Sequence, residues 1–369
     1  MRVTRVLFNQ FKPRVAVLYQ AVEPPIINGV RKPMKPGGYR DSGSDIAYVL
    51  QKNGVDVVTP KTNPDPQSDE DWCFPDHEEG ILEAVKKHRV SHLWANTILF
   101  SSHPLQTSSA LDSSADNLKV VSQPPNLVQQ YDDKNFVNDL LRKDGSFNLP
   151  KSWLVYTTMD DILSSSDLKY PVIAKPIRGR GSHGVSLCRS KAALTQHLSN
   201  LLKESSPAML EEYLDGEEAT VTVMPPSSKD GKYHALPLVV RFNHADGIAP
   251  YNGVVAVTAN SRTLSPDEQA TNRAYEEVAE ACERVAAKLR VTAPIRIDVR
   301  QFSKDRLSKF AIFDVNMKPN MTGPGRPGRE DQASLTALAA AGAGLDYSEL
   351  LKEILHCAQP LKTLRSISV

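Results

Sequence analysis

The chain has 369 residues, more than one compact core usually serves, so two or three domains are expected. Its 44 Lys and Arg residues nearly cancel 43 Asp and Glu, and a net charge of +1 argues against an electrostatic nucleic-acid binder. A 40% hydrophobic and 24% charged composition excludes wholesale disorder, and no stretch approaches the roughly 20 unbroken apolar residues of a membrane span. Cys73, Cys188, Cys282 and Cys357 form no C-x-x-C pair and suit reduced thiols, which points to the cytoplasm.

Arg2, Arg5, Lys12 and Arg14 precede the first acid, Glu23, a pattern that a transit peptide shares. Pro13 and the strand-like run that follows favour a short arm instead. Val15 to Tyr19 is a continuous apolar run, expected as a strand buried on both faces of a parallel sheet. Ser44 is positioned to cap a helix through Leu50 that stops near Asn53-Gly54, and Val55 to Val58 makes a second strand. A helix over Glu79 to His88 and a strand at His92 to Ala95 complete a β-α-β-α-β order, hence a small open α/β sheet.

Gln123-Pro-Pro125 marks a boundary, and the texture changes beyond it. A helix starts at Asp133-Lys134. Strands follow at Trp153 to Tyr156 and Pro171 to Lys175, with Gly184 to Cys188 as the antiparallel partner of the latter across a glycine-rich turn. Ser265-Pro-Asp-Glu268 is a capping box, and the apolar spacing from Ala270 to Leu289 predicts one helix after it. Asp346 caps a helix through Leu355. The expected division is an N-terminal α/β domain over residues 1–123, a small lid over 124–210 and a larger unit over 211–369.

Three segments carry chemistry. In Lys175-Pro-Ile-Arg-Gly-Arg-Gly-Ser-His-Gly184, the glycines at 179, 181 and 184 let backbone N–H groups approach an anion, and Lys175 can meet phosphate oxygens. A hairpin that merely needs glycines to turn has the same signature, and the pattern is neither a P-loop nor a dinucleotide fingerprint. In Met209 to Glu218, Glu211 and Glu212 end an apolar strand and Glu218 opens the next; a carboxylate there suits the two hydroxyls of a ribose, although a solvated acidic turn looks alike. In Arg296-Ile-Asp298 and Phe313-Asp314-Val-Asn316, alternation puts Arg296 with Asp298 and Asp314 with Asn316 on shared strand faces. Two carboxylates and an amide oxygen suit Mg²⁺, and their apolar flanks make unpaired carboxylates costly.

Together, in this order, these motifs resemble the ATP-grasp superfamily, and more closely its D-alanine–D-alanine ligase-like carboxylate–amine ligases, over residues 130–357. The resemblance implies an ATP-grasp fold behind an N-terminal α/β domain. It further implies an ATP-dependent ligase that forms an amide or peptide bond through an acyl phosphate, with ATP and one or two Mg²⁺ (Mn²⁺ able to substitute). Residue by residue, it assigns Lys134 and Lys175 to the phosphates, and Gly179, Arg180, Gly181, Ser182, His183 and Gly184 to the loop closing over them. Glu211, Glu212, Tyr213 and Leu214 match the adenine-reading hinge, Glu218 the ribose acid, Asp298, Asp314 and Asn316 the metal ligands, and Arg296 the arginine beside the acyl phosphate, while Asn320 occupies the catalytic position whose backbone should donate to the oxyanion.

Several positions depart from that pattern. Asp314 stands where Glu is common, Asn320 replaces the Gly after Asn-x-x-Pro, and no Lys lies between Tyr233 and Arg262, only His234, Arg241 and His244. These departures argue against a cell-wall D-alanine ligase and for a divergent amino-acid or specialised-metabolite ligase. Arg326 and Arg329 could clamp a substrate carboxylate, and Tyr39 and Arg40 could add contacts from the first domain. The expected partners are small-molecule carboxylate and amine substrates, with no nucleic acid and no membrane; many relatives pair as dimers. A small-molecule kinase and a nucleotide sensor without turnover are the alternatives.

Overall fold

The computed structural model of the protein describes residues 12–226, 231–248 and 256–369. Arg2 and Arg5 of the basic arm lie outside the described residues, as does part of the loop between Tyr233 and Arg262. Among the described residues no helix is long and apolar enough to cross a membrane. All four cysteines are buried, and no disulfide joins any two of them.

The first sheet forms around β1 (Arg14–Tyr19), flanked in parallel by β2 (Asp56–Val58) and β3 (His92–Asn96), with β4 (Lys119–Val121) beyond β3. Period-2 alternation sends Val15 and Val17 toward α1 (Arg40–Lys52), where Ile46 and Leu50 receive them. Ala16 and Leu18 face the opposite way, toward Phe74, Ile81 and Leu93. This two-sided burial is what the unbroken apolar run demanded.

Helix α1 starts four residues before the expected cap. Ser44 is interior and buried, its hydroxyl donating to Asp69 O at 3.1 Å, while Tyr39 holds the N-cap position with φ +66°. The Gly37-Gly38 turn dictates this start. Gly38 has φ +59°, and a Cβ there would lie 2.0 Å from Gln20 O. The expected helix over Glu79 to His88 is α-helical only over Glu78–Leu82 and widens to a π turn over Glu83–Lys87.

Helix α2 (Lys134–Asp144) begins where Asp133 accepts the Phe136 N–H. A second, antiparallel sheet follows, built from β5 (Ser152–Val155), β6 (Val172–Pro176), β7 (Ser186–Cys188) and β8 (Ala208–Glu212) in the order β7-β6-β8-β5. Helix α3 (Lys191–Glu204) covers one face with Leu194, Leu198 and Leu201.

The third sheet runs β11-β10-β9-β12-β13, all antiparallel: β9 (Glu218–Met224), β10 (Val239–Arg241), β11 (Ser261–Thr263), β12 (Ile295–Gln301) and β13 (Phe310–Asn316). Ile295, Ile297 and Val299 of β12 face α4 (Arg273–Lys288), leaving Arg296, Asp298 and Arg300 on the other side. The single helix expected after Ser265 is two, because Asn272 leaves the helix to cap α4 through the Ala274 N–H at 3.0 Å.

Helix α5 (Leu335–Gly342) packs against the third sheet, and α6 (Tyr347–His356) returns to α1 and the first sheet, where Leu350, Leu351 and Ile354 share a core with Val15 and Ile46. Gln359–Pro360 then pairs with β4, so the end of the chain packs with its beginning rather than only with the third sheet.

Candidate functional site

A cavity of about 520 Å³ lies between the second and third sheets and gathers residues from all three expected units. On the lid side, β6 carries Lys175, and the turn after it supplies Gly179, Arg180, Gly181, Ser182 and His183. Gly181 and the non-glycine Ser182 both have φ near +60° (60° and 59°), which holds the tip of the turn open. Gly184 is outside the lining; it packs against Leu201 and Pro176, and a Cβ would lie 3.0 Å from the former. His183 is exposed and 3.1 Å from Glu204, away from the cavity's polar centre.

The hinge residues Glu211, Glu212, Tyr213 and Leu214 form the back wall, and Glu218 opens β9 beside them. Lys175 and Glu211 are almost wholly buried and meet at 2.6 Å; the same ammonium donates to Phe313 O at 3.1 Å. Glu218 sits 2.8 Å from His244 Nε2 and 3.5 Å from Arg300.

The floor is β12 and β13. Cross-strand register places Arg296 opposite Asn316 and Asp298 opposite Asp314, with an irregularity between Asp298 and Val299. Asp298 accepts two hydrogen bonds from Arg296, both 2.9 Å, one from Thr220 at 2.7 Å and one from Asn316 at 3.2 Å. Asp314 is 2.6 Å from Lys134. Burial alone would raise the Asp314 carboxyl, but Lys134, Lys175 and Arg296 hold it below the usual carboxylate range. Burial likewise pulls Lys134 and Arg296 down, and Asp314 and Asp298 respectively more than restore them.

Two carboxylates directly opposed on neighbouring strands repel unless cations lie between them. Lys134 and Arg296 supply part of that charge. The donor set of two carboxylates and an amide is the hard-oxygen kind that fits Mg²⁺. Among the described residues, no cluster of three His, Cys, Asp or Glu side chains offers another metal site.

The expected substrate contacts divide. Tyr39 and Arg329 line the cavity, as does the expected catalytic position Asn320; Arg40 and Arg326 do not. Arg40 bonds the Tyr19 hydroxyl at 2.8 Å and pairs with Glu70. Arg326 is fully buried, 2.8 Å from Asp45 and paired with Asp69, so it fastens the loop before α5 to α1 instead of facing a ligand. Arg329 also grips Asp45, at 2.8 and 2.9 Å. Of the cations between Tyr233 and Arg262, Arg241 faces the cavity, while exposed Arg262 pairs with Glu268 at 2.8 Å.

Arg300 and Lys318 are among the lining residues that escaped sequence reasoning. Arg300 donates to Gly216 O at 3.1 Å and Gly247 O at 2.8 Å, and lies over the Tyr213 ring at 5.0 Å, joining the hinge to β12. It was legible as the third polar position of the alternation Arg296, Asp298, Arg300. Lys318 lies over the Tyr39 ring at 3.4 Å, and its buried Nζ has no hydrogen-bond partner among the described residues. Burial first, and then Lys35 nearby, push its ammonium well below the ordinary lysine range. Its signal was a lysine inside the otherwise apolar Met317 to Pro319.

The family described as D-ala D-ala ligase C-terminus matches residues 154–356, more than half of the chain. A D-alanine–D-alanine ligase of Aquifex aeolicus is 26% identical over 223 residues, 60% of this chain and 68% of that protein. The D-alanine–D-alanine ligase A of Bacillus cereus is 29% identical over 226 residues, 61% of this chain, so that about two thirds (66%) of its own length is spanned. Among solved structures, the Bacillus anthracis D-alanine–D-alanine ligase complexed with ATP superposes with a TM-score of 0.62 at 18% identity, covering 97% of this chain and 100% of that one. The VanG D-Ala:D-Ser ligase of Enterococcus faecalis gives 0.64 at 14% identity, covering 94% and 99%. With these folds shared almost end to end and the family's own segment spanning the lid, the hinge and the polar floor, the chain has an ATP-grasp fold and belongs to the D-ala D-ala ligase C-terminus family.

Proposed function

We propose that this protein is an ATP-dependent ligase that joins the carboxylate of one small molecule to the amine of another, with amino acids or a specialised metabolite as substrates. One observation carries the reading: Lys175 and the glycine turn line the same cavity as Asp298, Asp314 and Asn316, so that one nucleotide triphosphate can meet both cationic donors and hard oxygens. Family membership favours joining chemistry over the kinase and sensor alternatives, and the relatives are D-alanine–D-alanine and D-Ala:D-Ser ligases.

In this reading Glu211 to Leu214 receive the adenine edge through their backbone, and Glu218 accepts from the ribose hydroxyls. Lys134 and Lys175 meet phosphate oxygens, exchanging part of their bonding to Asp314 and Glu211 for the ligand. Asp298, Asp314 and Asn316 would hold Mg²⁺, one or two ions, which supplies charge neutralisation to the phosphates. Arg296, next to Asp298, and Asn320 stand where negative charge develops on the reacting carbonyl. The turn from Gly179 to Gly184 closes over the site and keeps water from the activated acid. Four buried reduced thiols support a cytoplasmic setting.

Incubation with ATP, Mg²⁺, a panel of amino acids and hydroxylamine tests the reaction class. Hydroxamate formed together with ADP is expected, because an acyl phosphate is captured by that nucleophile. Phosphorylated alcohol, or tight ATP binding with no ADP release, would contradict the proposal.

A further inference from the structure

The rim of the cavity beside Tyr39 is cationic. Three positive groups surround one ring: Lys318 Nζ lies 3.4 Å from its centroid, Lys35 Nζ 5.2 Å and the Arg180 guanidinium 5.7 Å. These groups come from three distant parts of the chain, namely the turn before α1, the glycine turn and the segment after β13. Tyr39 is itself pinned there, with φ +66° and its carbonyl accepting from Asn96 Nδ2 at 2.9 Å.

The neighbouring cations have counter-ions. Lys35 pairs with Asp41 at 2.7 Å, Lys32 with Asp132, and Arg329 with Asp45 at 2.8 Å. Lys318 is different: its Nζ is buried, lines the cavity and has neither an ion pair nor a hydrogen bond among the described residues. A buried donor without an acceptor is costly, and burying it beside two other cations adds repulsion. A ring face offsets only part of that cost. A carboxylate arriving from the cavity would satisfy it.

The reacting carboxylate of the proposed ligation belongs elsewhere in the cavity, against Arg296 and the polar floor. Lys318 is therefore left for an acidic group that does not react. Resting on the ligase reading above, we propose that Lys318, with Lys35 and Arg180 beside it, binds a second, unreacting carboxylate, and that one substrate of this enzyme is a dicarboxylic amino acid.

The pairs glutamate/glutamine and aspartate/asparagine, in both enantiomers, isolate that charge at nearly constant shape. Titration of the full chain, loaded with ADP and Mg²⁺, by calorimetry is expected to show at least one acid binding roughly 10- to 100-fold tighter than its amide, the range of one charge-assisted hydrogen bond. Lys318→Met should abolish that preference, keep ADP affinity and melt no lower than wild type, since it removes an unsatisfied buried donor. Equal binding of acid and amide in the wild type, or a preference that survives Lys318→Met, would overturn the proposal. The two readings separate cleanly: Lys318-dependent glutamate or aspartate binding without any ADP release keeps the subsite and removes the ligase. Hydroxamate from monocarboxylic acids with no acid-over-amide preference keeps the ligase and removes the subsite.

Discussion

Asp298→Asn is expected to lower Mg²⁺-dependent turnover by at least about 10²–10³-fold, the loss typical of removing one preorganised electrostatic group. Two effects combine at this residue. Its carboxylate is one of the two directly opposed acids that fit a divalent cation, and it also takes both ends of the Arg296 guanidinium at 2.9 Å. An asparagine would present an amide NH₂ to a guanidinium, leaving Arg296 without its anion. Breaking such a largely buried pair costs about 3 kcal/mol, which thermal denaturation should register as a lower Tm in a protein that still folds. Adding Arg296→Gln should recover most of the stability and none of the turnover. Normal turnover in Asp298→Asn would remove the proposed metal site.

Lys175→Met carries the second large effect. Lys175 and Glu211 are 4% and 3% exposed, so the substitution strands a carboxylate that, among the described residues, is otherwise bonded only to Asn138, at 3.2 Å. The expected loss is about 3–5 kcal/mol of stability, together with a roughly 10- to 100-fold weaker ATP affinity, the share of one charge-assisted phosphate contact. The double variant Lys175→Met/Glu211→Gln distinguishes the two roles. Glutamine stays bonded to Asn138 without a charge, so stability should return while nucleotide affinity stays low. An affinity that recovers along with stability would show that Lys175 serves only the fold.

Much of the fold and candidate site could be read from local pattern, and the reason is periodicity. Alternation put Arg296 and Asp298 on one face of their strand, away from the core, and the same rule put Asp314 and Asn316 on one face of the next. The apolar run at Val15 and the antiparallel pairing of Ser186 to Cys188 with Val172 to Ala174 were legible for the same reason. What stayed hidden depends on distant partners or on backbone geometry. Arg326 looked available for a ligand because Asp45, which consumes it, is 281 residues away. Ser44 looked like a helix cap because it is a good one in isolation, yet the left-handed turn through Gly37, Gly38 and Tyr39 sets the start. Lys318 gains meaning only when Tyr39 and Arg180 are brought to it by two other units.

The most direct test follows an oxygen atom. In the proposed ligation a carboxylate oxygen attacks the γ-phosphorus with departure of ADP, and the amine then displaces phosphate from the acyl carbon. That oxygen must leave in the phosphate. With the acid substrate labelled by ¹⁸O in its carboxylate, mass spectrometry is expected to find one labelled oxygen per inorganic phosphate released. Phosphate carrying no label, released alongside ADP, would mean that water rather than a carboxylate attacks the nucleotide, and would contradict the account.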